Sequence, residues 1–116
     1  DIPCGIYDPH TAQLAAKTVL TMVKKAKELP KDDRNNFIRM VMVIEAHAEI
    51  CKREVLILWT DYFKPEHLEK FPDLHYLVWK TTKICSDNKR SIDEKLAEDL
   101  IASVDQIAEI FNKTKQ

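Results

Sequence analysis

Glycine is almost absent from this chain, and that absence constrains the fold more than any other feature. The 116 residues contain a single glycine, Gly5. Tight β-hairpins and β-bulges depend on glycine, because their backbones pass through positive φ angles. We therefore expect a helical chain, in which the one glycine marks a place where the backbone must bend sharply.

The first half of the chain shows two segments with apolar residues at helical spacing. Asp8 is a predicted N-cap and Pro9 the first helical residue of segment one. Asp32 or Asp33 caps segment two, which we predict to run to about Phe63. The predicted buried positions are Ala12, Ala15, Ala16, Val19, Val23 and Ala26, followed by Phe37, Val41, Ile44, Ala48, Cys51, Val55, Leu58 and Trp59.

Two further helices are predicted in the second half. The third begins near Asp73, after the short segment PEHLEK, and ends at a polar break over residues 86–90. Ser91 and Glu94 form a capping box for the fourth. Four amphipathic helices with short connections predict an all-α, antiparallel four-helix bundle. We assign residues 1–116 to one domain, with an N-terminal loop at 1–8 and the bundle at 9–116.

Composition narrows the function classes. Lys and Arg number 18 against 19 Asp and Glu, so the chain lacks the basic footprint of a nucleic-acid-binding protein. The apolar runs are far too short for a membrane span. The three cysteines are an odd number at wide spacing, which favours a reduced, cytoplasmic setting over a disulfide framework. We expect Cys51 and Cys85 to be buried structural residues.

The N-terminal stretch DIPCGIYDPH allows two interpretations. Pro3 fixes its φ angle, and Gly5 permits a positive φ directly after Cys4. Such a backbone can curl around an ion held by the Cys4 thiolate. The alternative is a capped chain end that carries a free cysteine, and composition alone does not decide between them.

Two blocks of the sequence resemble one enzyme family. DIPCGIYDP, at 1–9, is similar to the nickel hook of nickel superoxide dismutases. The run LWTDYFKP, at 58–65, and its continuation through 78 are similar to a second block of that family. The resemblance implies a four-helix bundle that converts superoxide to dioxygen and hydrogen peroxide by redox cycling of a nickel ion, and that assembles as a homohexamer.

The resemblance also implies roles for residues of the hook. Cys4 matches a metal-ligating cysteine, and Asp1, Pro3 and Gly5 shape the loop around the ion. In the family a His-Cys pair supplies the other side-chain ligands, and we expect such a pair to precede Asp1 in the native chain.

Three further residues match positions near the metal, and two differ from the family. The resemblance implies catalytic roles for Tyr7, Tyr62 and Lys64, the last two lying beside the hook of a neighbouring subunit in the hexamer. Ala15 and His47 stand where the family has a Glu and an Arg that support the imidazole ligand. His47 is either a hydrogen-bond donor to the site or a polar residue on a helix flank.

Two alternatives to a nickel enzyme remain. In the first, the chain is an inactive or truncated helical-bundle homologue that binds no metal. In the second, its hook binds another thiophilic metal such as copper.

Overall fold

The computed structural model describes residues 1–115, which contain helices and no strands. The predicted all-α bundle is confirmed. A π-helical segment, Leu58–Tyr62, continues the second helix without a break. The α-helices are α1 (His10–Glu28), α2 (Arg34–Ile57), α3 (Pro65–Lys70), α4 (Leu74–Arg90) and α5 (Glu94–Thr114).

The four long helices surround one core. α1 packs against α2 and α5, and α4 packs against the same two helices. Short connections at 29–33 and 91–93 join consecutive helices, so each turns back along its predecessor. The largest fully buried side chains are Leu74, Leu100, Ile107, Val19, Val23, Val55 and Val104.

The first helix has the buried face that its sequence predicts. All six of its predicted core residues are buried, and three of them are the alanines Ala12, Ala15 and Ala16. Small side chains let neighbouring backbones approach closely. Pro9, and not Asp8, is the N-cap; the Asp8 carboxylate instead accepts a hydrogen bond from the His10 amide at 2.8 Å.

The second helix differs from its prediction at both ends. Phe37 was expected in the core but is 42% exposed, because it lines an open groove with Leu29 and Pro30 where α1 connects to α2. At the other end the helix does continue toward Phe63, but its last five residues are π-helical. The Phe63 amide donates to the Leu58 carbonyl at 2.9 Å, a spacing of five residues.

The predicted polar break at 86–90 is wrong, because α4 continues through it to Arg90. Its polar side chains have partners that make the helix favourable. Ser86 accepts from Lys52 at 3.2 Å, and Lys89 pairs with Glu49, so both contact α2. Buried Asn88 donates to the Leu96 carbonyl in α5 at 3.1 Å.

The predicted capping box at Ser91 and Glu94 is also wrong. Asp93 is the N-cap of α5, and its carboxylate accepts from the amides of Lys95 and Leu96 at 2.8 and 3.3 Å. Because α4 ends only at Arg90, the cap shifts two residues along the chain.

Trp79 is not a core residue. It is 53% exposed and lies beside Tyr76 and under the Lys83 ammonium on the surface of α4. Within residues 1–115, no helix combines the length and the apolar character that crossing a bilayer requires.

Cys51 and Cys85 are buried, as the sequence predicts. They lie on α2 and α4, both fully buried and both free. The neighbouring Cys85 thiol and burial together raise the pKa of the Cys51 thiol. A protonated, buried thiol is a poor nucleophile.

We predict that the three cysteines separate into two reactivity classes. In the folded, metal-free protein a water-soluble disulfide reagent should modify exposed Cys4 rapidly and leave Cys51 and Cys85 intact. All three should react after unfolding in guanidinium chloride. Spectrophotometric thiol counting with mass mapping measures this, and rapid modification of a second cysteine in the native state would contradict the packing.

Candidate metal centre

The N-terminal loop contains a tight turn with Cys4 near its tip. The Gly5 amide donates to the Ile2 carbonyl at 3.0 Å, and Pro3 occupies the second position of the turn, where its fixed φ is favourable. Gly5 has a φ of 67°, and it is the one residue of 1–115 described with a positive φ. Cys4 is exposed, so its thiol is accessible to an ion from outside the bundle.

The turn is fixed to the bundle on both sides. The Asp1 nitrogen, which is the terminal ammonium in this structure, lies 3.0 Å from Asp61 Oδ2, in the π-helical segment. The Tyr7 ring contacts the Tyr62 ring with centroids 5.7 Å apart. Pro9 is buried where α1 begins. The hook, which we define as Asp1–Asp8, is therefore a docked loop in this structure.

The π-helical segment places two consecutive side chains against the hook. Asp61 reaches Asp1, and Tyr62 reaches Tyr7, while Leu58 at the start of the segment is buried in the core. A π-turn inserts one residue into the helical repeat, and such turns are frequent at functional sites. The two sequence blocks that resemble the nickel enzymes thus meet in space.

A shallow cavity of about 310 Å³ lies where the hook meets this segment. Its charged groups are one ammonium, from Lys64, and the carboxylates of Asp61 and Glu66. The Asp1 nitrogen is the partner of Asp61, whereas Lys64 is exposed. The cavity is lined by Gly5, Tyr7, Asp61, Tyr62, Lys64, Glu66 and His67.

His67 has a place in this cavity that the sequence did not indicate. Its Nδ1 accepts a hydrogen bond from the Lys64 amide at 3.0 Å, which caps α3. Because a backbone N–H only donates, Nδ1 carries no proton in this arrangement. The imidazole also stacks on Tyr62, with 5.7 Å between centroids and 9° between planes. The sequence signal that could have indicated this capping role is a histidine at the third position of a helix that begins with proline.

Thr114 is the second residue that sequence reasoning missed. Its Oγ1 lies 2.6 Å from the Tyr62 hydroxyl, at the end of α5. No local pattern marks a threonine in the last turn of a helix as a partner for a residue 52 positions earlier.

His47 lies apart from the hook contacts described for residues 1–115. It is half-buried on α2, and its Nδ1 is 3.0 Å from the Val43 carbonyl one turn earlier. Ala15 is buried in the core face of α1. The His47 contact lies within α2, and both interpretations of His47, a hydrogen-bond donor to the site or a polar residue on a helix flank, stay predictions.

A model of the nickel-containing superoxide dismutase family matches residues 1–115. The chain belongs to this family. It is 40% identical to Superoxide dismutase (Ni) of Streptomyces coelicolor over 116 residues, 100% of this chain and 87% of that protein. For the Streptomyces seoulensis protein the identity is 38%, with the same coverage.

Solved nickel superoxide dismutases have the same fold. The native structure aligns with a TM-score of 0.95 at 40% identity, covering 100% of this chain and 98% of that chain. The apo structure aligns with a TM-score of 0.91 at 39% identity, covering 96% and 98%. The chain is thus an oxidoreductase of the superoxide dismutase class, and its metal is nickel.

Cys4 fits nickel as one ligand of a larger donor set. A thiolate on an exposed tight turn is a soft donor with room for an ion beside it. No three His, Cys, Asp or Glu side chains of residues 1–115 come together as a metal-binding group. A nickel site that includes Cys4 would therefore need donors other than a cluster of such side chains within residues 1–115.

We predict that Gly5→Ala weakens nickel binding without destabilising the bundle. A left-handed conformation costs an L-residue about 1–2 kcal/mol, which corresponds to roughly tenfold in affinity. Nothing lies within 4 Å of the added Cβ, so the penalty is conformational and not steric.

Gly5→Asn is the matched control, because asparagine tolerates this conformation better. Its nickel affinity, from competition with a chelator, should fall between those of the unchanged protein and the Gly5→Ala variant, while thermal unfolding stays the same in all three. Equal nickel affinity for Gly5→Ala and the unchanged protein would rule out a role for the left-handed turn.

Proposed function

We propose that the hook is the nickel site at which this enzyme disproportionates superoxide. One observation carries the proposal. The loop that bears Cys4 also places Gly5 and Tyr7 in the wall of the cavity that Tyr62 and Lys64 line, so the candidate ligand is the chain neighbour of a cavity residue. Two superoxide anions and two protons give one dioxygen and one hydrogen peroxide.

Cys4 and the hook backbone hold the metal in this proposal, together with a His-Cys pair before Asp1. When bound, nickel would supply one-electron redox chemistry between its divalent and trivalent states, a couple that thiolate and amide donors would bring within reach of superoxide. The contact between Asp1 and Asp61 holds the start of the hook, which carries the metal donors, against the bundle. A backbone amide at the Asp1 nitrogen would donate to the same carboxylate.

Lys64 attracts the anionic substrate. It is the one ammonium among the cavity-lining residues, where the carboxylates of Asp61 and Glu66 oppose its effect, and it is exposed at the N-terminus of α3. A fixed positive charge beside a small cavity raises the encounter rate of an anion, and salt screens this effect. Tyr7 and Tyr62 line the same cavity, whose volume of about 310 Å³ accommodates a small molecule.

Protons must also reach the reduced oxygen. Among described side chains, the Tyr7 hydroxyl has no hydrogen-bond partner and is free to donate toward the cavity. The Tyr62 hydroxyl is paired with Thr114. We assign substrate orientation and proton donation to Tyr7, with Tyr62 shaping the opposite wall.

We further propose a cytoplasmic homohexamer. Exposed large apolar side chains on α1, α2 and α4 support self-association, since such residues on a small chain commonly mark contact surfaces. They include Leu14, Ile38, Met42, Ile50, Leu56, Tyr76 and Trp79. The resemblance implied that Tyr62 and Lys64 lie beside the hook of a neighbouring subunit, whereas in this structure they lie beside the hook of their own chain.

Characterisation of the native protein tests the proposed function. N-terminal sequencing and intact mass should show His-Cys before Asp1, and metal analysis should give one nickel per chain. The same sample should consume superoxide and sediment as a hexamer. A native chain that starts at Asp1, without nickel and without activity, would establish the inactive-homologue alternative, and active protein containing copper would establish the other.

We predict that Lys64→Gln lowers the rate constant for superoxide by roughly threefold at low ionic strength. The loss should shrink as salt increases, because screening already weakens the attraction of Lys64. Pulse radiolysis of nickel-loaded protein measures both effects.

Lys27→Gln is the matched control, since it makes the same charge change near the far end of α1, about 25 Å from His10. It should leave the rate constant nearly unchanged. Equal losses for the two variants would mean that net charge, and not the position of Lys64, controls the encounter.

A further inference from the structure

We propose that the last turn of α5 positions Tyr62 for the reaction, with Thr114 as the positioning residue. This inference rests on the proposed function, because it assigns Tyr62 its orientation at the same cavity. It adds the C-terminal end of α5 to the site. Neither of the two sequence blocks that resemble the family includes this part of the chain.

The Tyr62 ring is packed on several sides. Phe111 of α5 lies closest, with 4.5 Å between ring centroids, and Phe63 contacts the ring edge-on at 5.3 Å. His67 stacks on it from the α3 side. The Lys115 ammonium lies 5.1 Å from the Tyr62 centroid and 5.2 Å from that of Phe111. Packing of this kind holds the plane of the ring.

The direction of the phenol hydrogen bond follows from Thr114. The Thr114 hydroxyl lies 2.5 Å from the Phe111 carbonyl oxygen, which only accepts, so Thr114 donates its one hydrogen there. Its contact with Tyr62 at 2.6 Å must then be one in which Thr114 accepts. The hydrogen-bond chain runs from Tyr62 to Thr114 to the Phe111 carbonyl.

This series of hydrogen bonds determines whether the Tyr62 hydroxyl donates or accepts at the cavity. Its proton is donated to Thr114 of α5, so toward any other neighbour, such as water or hydrogen peroxide at the cavity that Tyr62 lines, the oxygen can only accept a hydrogen bond. An anion such as superoxide is not attracted to the lone pairs of this oxygen. The two tyrosines therefore take different roles: Tyr7 orients the substrate and donates the proton, and Tyr62 accepts hydrogen bonds.

Thr114→Val and Thr114→Ser separate this positioning role from general packing. Valine has nearly the same shape as threonine but cannot accept the phenol proton, whereas serine can. Thr18→Val is the matched control, because Thr18 also donates to a carbonyl of its own helix, that of Leu14 at 2.9 Å, and lies on α1 away from Tyr62.

Exchange of the Tyr62 hydroxyl proton with solvent is the primary measurement. It is read by NMR of full-length, metal-free protein labelled with ¹³Cζ-tyrosine, with Tyr62→Phe for assignment. We expect exchange about fivefold faster in Thr114→Val, the factor that one net hydrogen bond supplies, and unchanged in Thr114→Ser and Thr18→Val. Unchanged exchange in Thr114→Val, or faster exchange in Thr114→Ser as well, would overturn the proposal.

Superoxide consumption by nickel-loaded protein is the second measurement. We expect Thr114→Val to lower the rate constant and Thr114→Ser to restore it, at equal nickel content. If Thr114→Val alters proton exchange but not the rate constant for superoxide, the positioning of Tyr62 by Thr114 has no role in catalysis. If no variant, including the unchanged protein, consumes superoxide while the exchange result holds, the proposed function fails and the Tyr62–Thr114 contact stands.

Discussion

The contact between the hook and the π-helical end of α2 is the interaction on which the site depends. Asp61 receives the Asp1 nitrogen, and Tyr62 receives the Tyr7 ring, so the two residues fix both sides of the Cys4 turn. Without this contact the exposed loop would be free to sample many conformations, and a metal would have to order it on binding. Docking in advance lowers that entropic cost.

The bundle supplies the rigidity that this contact needs. The π-helical segment is continuous with α2, and Leu58 fixes its first residue in the core. From the opposite side, α5 reaches Tyr62 through Phe111 and Thr114. Three parts of the chain that are distant in sequence therefore meet at one side chain, and a change in any of them alters the wall of the cavity.

Local periodicity predicted the helices well, but it failed where contacts with residues distant in sequence determine whether a segment is helical. The buried alanines of α1 follow from spacing alone, whereas the polar run at 86–90 is helical because Glu49 and Lys52 lie across from it on α2. The same limit applies to the site. Motif likeness identified Cys4 and Tyr62, but Thr114 acts through a contact that only the packed bundle creates.

X-ray absorption at the nickel edge tests the central claim most directly, since it reports the atoms bound to the metal. Nickel-loaded protein should show sulfur in the first coordination shell, and Cys4→Ser should reduce that sulfur contribution while Cys51→Ser leaves it unchanged, because Cys51 is buried beside Cys85. Nickel bound by nitrogen and oxygen alone, or a spectrum that Cys4→Ser does not alter, would contradict the assignment of the hook as the metal site.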